Sequence, residues 1–258
     1  MAKVILDAGH GGYDNGAVYE GRREKDDTLN LVLAIGEALE RSGVEVAYTR
    51  VTDVYDSPVA KAQIANAEGG DVLVSIHRNS SPNPNTYSGV QTLLYDEGGI
   101  KQDMAEQINQ ELENIGYLNL GLSIRPNLAI LRRSEMPALL VEVGFINTDA
   151  DNQRLDAQFA ETADAIASGI VNTLDEWYGN DGYMPPGTYS VQTGLFRNRQ
   201  NAENMAGALQ MQGYPAMIIP SGEYYAVRVG DYPTREYAAW VEQALRRLGY
   251  DTLLMQNK

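Results

Sequence analysis

The stretch that decides the fold is VILDAGHGG, Val4 to Gly12, where an apolar run stops at a histidine followed by two glycines. So short an apolar run reads as a buried strand, and a polar residue at its carboxyl end stands where open α/β sheets place their chemistry. The same grammar returns in DVLVSIHRNS, Asp71 to Ser80, whose run ends in His77. The chain has 2 histidines, His10 and His77. Both therefore close strand-like segments.

Outward from His10, the turn formers Asp14, Asn15, Gly16 and Gly21 mark Gly11 to Arg23 as a loop. The spacing of Leu29, Val32, Leu33, Gly36 and Leu39 predicts a helix over Asp27 to Arg41. Glu24 stands at or just before its start, where a carboxylate complements the helix dipole. Further on, VEVAYT (Val44 to Thr49) and GVQTLLY (Gly89 to Tyr95) read as strands, and Leu128 to Leu131 as a short one. Pro58 to Glu68 and Ile100 to Ile115 read as helices, and the Pro/Asn/Ser-rich NSSPNPNTYSG after His77 as a loop that rims a cleft. PALLVEVGFINT, Pro137 to Thr148, is a strand with Glu142 in its middle, and a long helix follows over Ala157 to Trp177. This alternation predicts an α/β unit with a mixed central sheet flanked by helices.

With 258 residues, 43% of them apolar, the chain can bury a sizeable core in one or two domains. Its net charge of −15 argues against nucleic acid or an anionic membrane surface as partner, since both would repel it. All of the excess acid lies before Tyr183, and the remainder is close to neutral, a step that indicates two units. The absence of cysteine excludes disulfides and thiolate metal ligands, so a zinc site must use histidine and carboxylate. MAKVILDAGH has no signal-peptide core and no apolar run approaches bilayer length. Delivery outside the cell would then need non-classical export, holin-type release or lysis of the producing cell.

His10, Glu24 and His77 together supply two imidazoles and a carboxylate, the ligand set of a catalytic zinc site that leaves a fourth position open. Neither an HExxH helix nor a GxxxxGK[ST] loop is present. Glu142, inside so apolar a run, is costly to bury unless it is hydrogen-bonded structurally or has a chemical task. Desolvation there would raise its pKa toward the range that suits a proton shuttle.

The segments DAGHGG (Asp7 to Gly12), NGA (Asn15 to Ala17), EKD (Glu24 to Asp26), TR (Thr49 to Arg50), IAN (Ile64 to Asn66), SIHRN (Ser75 to Asn79) and MPALLVEVGFINT (Met136 to Thr148) resemble, in order, the type-3 family of zinc-dependent N-acetylmuramoyl-L-alanine amidases. The resemblance covers nearly all of Val4 to Trp177. It implies that His10, Glu24 and His77 hold zinc, that Glu142 is the catalytic acid/base, and that the amide between the lactyl group of N-acetylmuramic acid and L-alanine is hydrolysed. Asn79 and Arg132 fall in matching motifs as candidates for orienting substrate or for scaffold bonding. Lys61, where the family more often has Arg, and Arg78, where it often has a small residue, depart from the pattern. A catalytically silent peptidoglycan-binding protein and a zinc carboxypeptidase acting on stem peptides are the rival readings.

Tyr178 to Thr188, YGNDGYMPPGT, reads as a linker, giving expected domains at 1–178 and 189–258 with the linker at 179–188. Beyond it Tyr189, Val191, Gly194, Leu209, Gly213 and Tyr214 recur as Tyr225, Val227, Gly230, Leu245, Gly249 and Tyr250, a period of about 36 residues. Each copy reads strand, helix, strand, with helices over Asn201 to Gln212 and Arg235 to Leu248, which predicts a ferredoxin-like βαββαβ domain. The repeat resembles a SPOR (sporulation-related repeat) domain. That resemblance implies binding of peptidoglycan, favouring denuded glycan strands stripped of stem peptides. Tyr189, Gln192, Phe196, Tyr225, Arg228 and Tyr232 are the candidate glycan contacts, with Tyr189 and Tyr225 expected on the open sheet face and aromatic core packing as the alternative.

Overall fold

The run that opens the chain forms strand β1 (Lys3–Ala8), buried from Val4 onward. Burial on both faces follows from its position between two parallel neighbours. The computed structural model describes residues 2–178, 189–232 and 235–257, apart from the side chains of Tyr178, Glu236, Tyr237 and Trp240. The expected linker at 179–188 lies outside the described residues. By their internal contacts the residues divide into two units, Met1–Asp175 and Glu176–Lys258.

In the first unit β1 is followed by β2 (Val18–Tyr19), β3 (Arg22–Arg23), α1 (Glu24–Arg41), β4 (Glu45–Tyr48), α2 (Pro58–Glu68), β5 (Val72–Asn79) and β6 (Val90–Leu94). Then come α3 (Ile100–Asn114), β7 (Asn119–Ile124), α4 (Ala129–Arg133), β8 (Ala138–Phe145), α5 (Asp149–Ala157) and α6 (Phe159–Tyr178). Six strands form one sheet in the order β4-β1-β5-β8-β6-β7. All neighbours are parallel except β6 and β8, so the sheet is mixed, as expected. Val4, Ile5, Leu6, Leu73, Val74, Ile76, Leu139 and Val141 are wholly enclosed. Helices flank them: Arg41 of α1 reaches Asp164 of α6 at 3.0 Å, and α2 packs on α4.

Several boundaries differ from the sequence expectation. Helix α1 begins at Glu24, with Glu24, Asp26 and Asp27 in its first turn, where the macrodipole favours acids. Leu128 to Leu131 is not a strand: Ala129–Arg133 is helical, and Arg132 N donates to Leu128 O at 2.9 Å. Strand β8 already has β5 and β6 as neighbours, and leucine and alanine favour helix. NLGLSI, Asn119–Ile124, is an edge strand whose Asn119 and Gly121 hid it among turn formers. The helix expected over Ala157 to Trp177 is α6, which starts at Phe159; an unexpected helix, α5, precedes it, and Gln158, with φ of −129° and ψ of 37°, separates the two.

The second unit runs β9 (Tyr189–Phe196), α7 (Arg199–Met211), β10 (Ala216–Ser221), β11 (Tyr224–Tyr232), α8 (Arg235–Arg247) and β12 (Leu253–Gln256). Its strands pair antiparallel in the order β10-β11-β9-β12, the ferredoxin-like arrangement. Val191, Val227, Val229 and Ala216 are buried on the side of the sheet where Ala202, Ala206 and Leu209 of α7 and Ala238, Val241 and Leu245 of α8 supply the core. The alternate positions form the opposite, open face. Across it Met217, Arg228, Gln192 and Leu253 stand in one row.

Candidate functional site

β1 and β5 are adjacent and parallel, with Ala8 opposite Ile76, so the residues that follow their apolar runs emerge side by side. Gly9 N donates to Ile76 O at 3.0 Å, and the missing Cβ of Gly9 makes room for the His77 ring, which a methyl there would meet at 2.5 Å. The His10 and His77 rings lie edge to face, with centroids 5.0 Å apart. Glu24 reaches both from the first position of α1: Oε2 is 3.2 Å from His10 Nε2 and Oε1 is 2.9 Å from His77 Nδ1. One ligand atom from each of the three residues lies within 4.8 Å of the others, an arrangement that could hold a metal ion.

The donor set fits such an ion. Two ligands each about 2.0–2.1 Å from a tetrahedral zinc stand roughly 3.3 Å apart, close to the spacing of His10 Nε2 and Glu24 Oε2. The outward nitrogen of His10, Nδ1, is 2.9 Å from Asp14 Oδ2, the carboxylate support that commonly fixes a metal-binding imidazole. Burial alone would keep Glu24 protonated, but hydrogen bonds and charge from His10 and His77 hold its carboxyl well below the ordinary range. Burial likewise opposes a charge on His10, yet Glu24 and Asp14 push it up to about 9.

Glu142 is the direct register partner of His77 on β5 and of Gln91 on β6. Its Oε2 is buried and has no hydrogen-bond partner among the described residues. Burial, reinforced by the negative charge of Glu24, pushes its carboxyl up to about 7, while His77 and His10 act the other way. A glutamate serving only the scaffold is expected to be hydrogen-bonded in such a place; this one leaves a buried oxygen unpaired beside a candidate metal centre.

His10 itself has a φ of +59°, a strained conformation for a residue with a side chain. Three buried cations hold its loop by the backbone. Lys61 donates to Ala8 O and, at 3.0 Å, to His10 O. Arg50 bonds Ala8 O, Gly9 O and Lys25 O at 3.1, 2.9 and 2.9 Å, and Lys25 bonds Gly12 O at 2.6 Å. Lys61 is paired in turn with buried Asp7, which also accepts from Thr49 and Ser75; Lys61 and these hydroxyls hold Asp7 below the usual carboxylate range against its burial. The two departures from the family pattern are thus both structural. Lys61 clamps the loop, and Arg78 is buried against Asp27 and Asn152 at 2.5 and 2.8 Å. Reading the sequence missed Asp14 and the Lys61 clamp; the available signals were a carboxylate four residues after His10 and a lysine within the alanine-rich segment of α2.

The other candidates are placed less centrally. Asn79 ends β5, and its Oδ1 accepts from Ser80 N at 2.8 Å. Arg132 is exposed at the end of α4, without a side-chain partner among the described residues and without a bond to His10, Glu24, His77 or Glu142. In the second unit, only Gln192 and Arg228 of the six candidates lie on the open face. Tyr189 and Tyr225 share the alternation of Val191 and Val227, so the expectation that they face outward is corrected: they lie on the helix-backed side. Phe196 folds over Gly194 beside Met205, and Tyr232 is 2% exposed and packs over Gly230.

The profile of the N-acetylmuramoyl-L-alanine amidase family matches residues 4–172, and that of the SPOR domain matches residues 185–256. A sporulation-specific N-acetylmuramoyl-L-alanine amidase of Bacillus subtilis is 32% identical over 223 residues, 85% of each chain. An endolysin of Bacillus phage SPP1 is 34% identical over 183 residues, 68% of this chain and 67% of the phage protein. Among solved structures, an N-acetylmuramoyl-L-alanine amidase from Clostridium difficile 630 superposes with a TM-score of 0.63 at 30% identity, over 70% of this chain and 98% of that one. The amidase AmiC2 of Nostoc punctiforme gives 0.62 at 34% identity, over 67% and 97%. With a mixed sheet that gathers two histidines and two glutamates at one end, and a peptidoglycan-binding SPOR domain following in sequence, the chain belongs to the N-acetylmuramoyl-L-alanine amidase family, the cell-wall hydrolases that cut the amide between the lactyl group of N-acetylmuramic acid and L-alanine.

Proposed function

We propose that His10, Glu24 and His77 hold zinc and that Glu142 carries the proton in the hydrolysis. The observation that carries this reading is the convergence of three ligand atoms within 4.8 Å beside the unpartnered Oε2 of Glu142. Zinc in such a site supplies Lewis acidity, polarising a carbonyl and making water acidic enough to ionise near neutral pH. Glu142, with its carboxyl near 7, both accepts the proton of the attacking water and returns it to the departing alanine nitrogen, which cannot leave as an amide anion. Asp14 fixes the ring of His10 from behind. The bond broken is C–N, the bond formed is C–O, and the products are a lactyl carboxylate and a free amine. Arg132, exposed and without a side-chain partner among the described residues, is the candidate to orient substrate, whereas the cap that Asn79 gives to Ser80 favours a scaffold role there.

Residues 1–178 form the catalytic domain in this reading, 179–188 the linker and 189–258 the wall-binding domain, which the division near Asp175 supports. The second domain takes denuded glycan strands. In support, Arg228 sits in the middle of the open-face row with its Nε buried and without a partner among the described residues, and each cut leaves a lactyl carboxylate to which a guanidinium would donate. Mass spectrometry of purified peptidoglycan after digestion, with and without a chelator and with zinc restored, tests the whole. New alanine amines and intact lactyl carboxylates, lost on chelation and regained with zinc, are the expected result. Released terminal amino acids would indicate a carboxypeptidase, and no product a silent binding protein.

A further inference from the structure

Beside the candidate metal centre two tyrosines project into solvent against each other. Tyr13 is 79% exposed and Tyr55 38%, with ring centroids 4.2 Å apart and planes inclined at 32°. Val54 and Val51, on the same segment as Tyr55, are also exposed. Tyr13 is three residues from His10, so their Cα atoms are separated by at most about 11 Å. An exposed aromatic and aliphatic patch this close to a reacting centre is costly to leave wet and marks a contact surface.

The pair is held rigidly. Gly12 N donates to Asp53 Oδ1 at 2.8 Å, and Lys25, 5% exposed, bonds both Gly12 O and Asp53 Oδ2 at 2.6 and 2.7 Å, tying the loop of Tyr13 to the segment of Tyr55. The contact is close enough that a Cβ on Gly12 would meet Tyr55 N at 2.8 Å, and one on Gly11 would collide with Val54 O. Gly11 and Asp14 bridge each other's backbones at 3.0 and 3.1 Å. Two tyrosines fixed in this way offer a large amphipathic surface at little entropic cost on binding.

Two of the nearby carboxylates are already engaged, Asp53 by Lys25 and Asp14 by His10 and Gly16 N, and Asp56, next to Tyr55, is half-buried. The rings thus present an uncharged platform, suited to a neutral ligand with an apolar face and polar rim. Of the two arms of the substrate that meet at the scissile amide, the peptide carries charged groups and the glycan is a run of neutral-faced pyranose rings. We propose that Tyr13 and Tyr55 form a subsite that stacks on a sugar ring of the glycan strand, holding the lactyl amide over the candidate metal centre. This rests on the assignment of His10 as a ligand of that centre.

Tyr13→Ala and Tyr55→Ala in the full chain should lower kcat/KM about tenfold on glycan strands bearing stem peptides, through KM, with kcat within twofold of the parent. On a lactyl-peptide that keeps the scissile amide but has no sugar, kcat/KM should be unchanged, and Tyr13→Trp, which keeps a ring, should retain activity on glycan strands. Equal losses on both substrates, a loss confined to kcat, or no loss on glycan strands would overturn the subsite. An error in the zinc and Glu142 assignments would show instead as turnover that survives chelation or Glu142→Gln, with the ratio between the two substrates unaffected.

Discussion

Replacing Lys61 by methionine asks how much the posture of His10 depends on a single buried cation. Lys61 is 3% exposed and Asp7 1%; Nζ lies 3.3 Å from Asp7 Oδ1 and donates to the carbonyls of Ala8 and His10. Methionine matches the unbranched stem of lysine as far as Cε, leaves Asp7 without its cation and leaves two carbonyls short of a donor. Breaking a buried pair from one side costs roughly 3–5 kcal/mol. Asp7 keeps its bonds from Thr49 and Ser75, at 2.5 and 2.6 Å, so the lower end of that range applies. In a domain of this size 3 kcal/mol corresponds to a fall of about 6–12 °C in Tm. Thermal melts followed by circular dichroism on chelated protein measure it, and titration with zinc should show roughly 10–100-fold weaker binding because the backbone of His10 has lost its support. Neutralising both partners in Asp7→Asn/Lys61→Met should recover part of the loss, a coupling of about 0.5–3 kcal/mol. Because Asp7 is held below its ordinary value of 3.8, its contribution is present above that pH and fades as pH falls through the depressed value, so the deficit should narrow in acid. A fall of less than 2 °C, or a double variant no better than the sum of the singles, would refute the clamp.

Three further outcomes are expected. Glu142→Gln, nearly isosteric, should lose roughly 10²–10⁴ in kcat while keeping its zinc by atomic absorption; activity within tenfold of the parent would remove Glu142 from the proton path. Because His10 holds its proton up to about 9 in the metal-free protein, zinc uptake at pH 7 should release that proton, and affinity should rise with pH until about 9; calorimetry in buffers of different ionisation enthalpy reads the proton count, and uptake without release would contradict the Glu24 and Asp14 contacts. Arg228→Ala should weaken binding of the full chain to stripped glycan strands about tenfold while leaving hydrolysis of small soluble muropeptides unchanged; unaltered retention on stripped strands would exclude it as a carboxylate contact.

The convergence of the chemistry was legible because it follows from one rule. Two apolar runs that end in histidine become adjacent parallel strands, and their ends share an edge of the sheet. Glu142 stood out for the same reason, as a carboxylate within a run otherwise buried. The clamp was hidden because its bonds go to carbonyl oxygens, which no side-chain pattern displays, and because Lys61, Arg50 and Lys25 come from three separate segments. In the second domain the signal was present and pointed the other way. Tyr189 and Tyr225 each stand two residues before a valine of the buried face, and the period of a strand is two, so the repeated YxV belongs to the core. What faces outward is the residue after each valine, Gln192 and Arg228, opposite one another across β9 and β11. The duplication thus preserves the packing, and the polar residues between its repeated positions are free to carry the recognition of the wall.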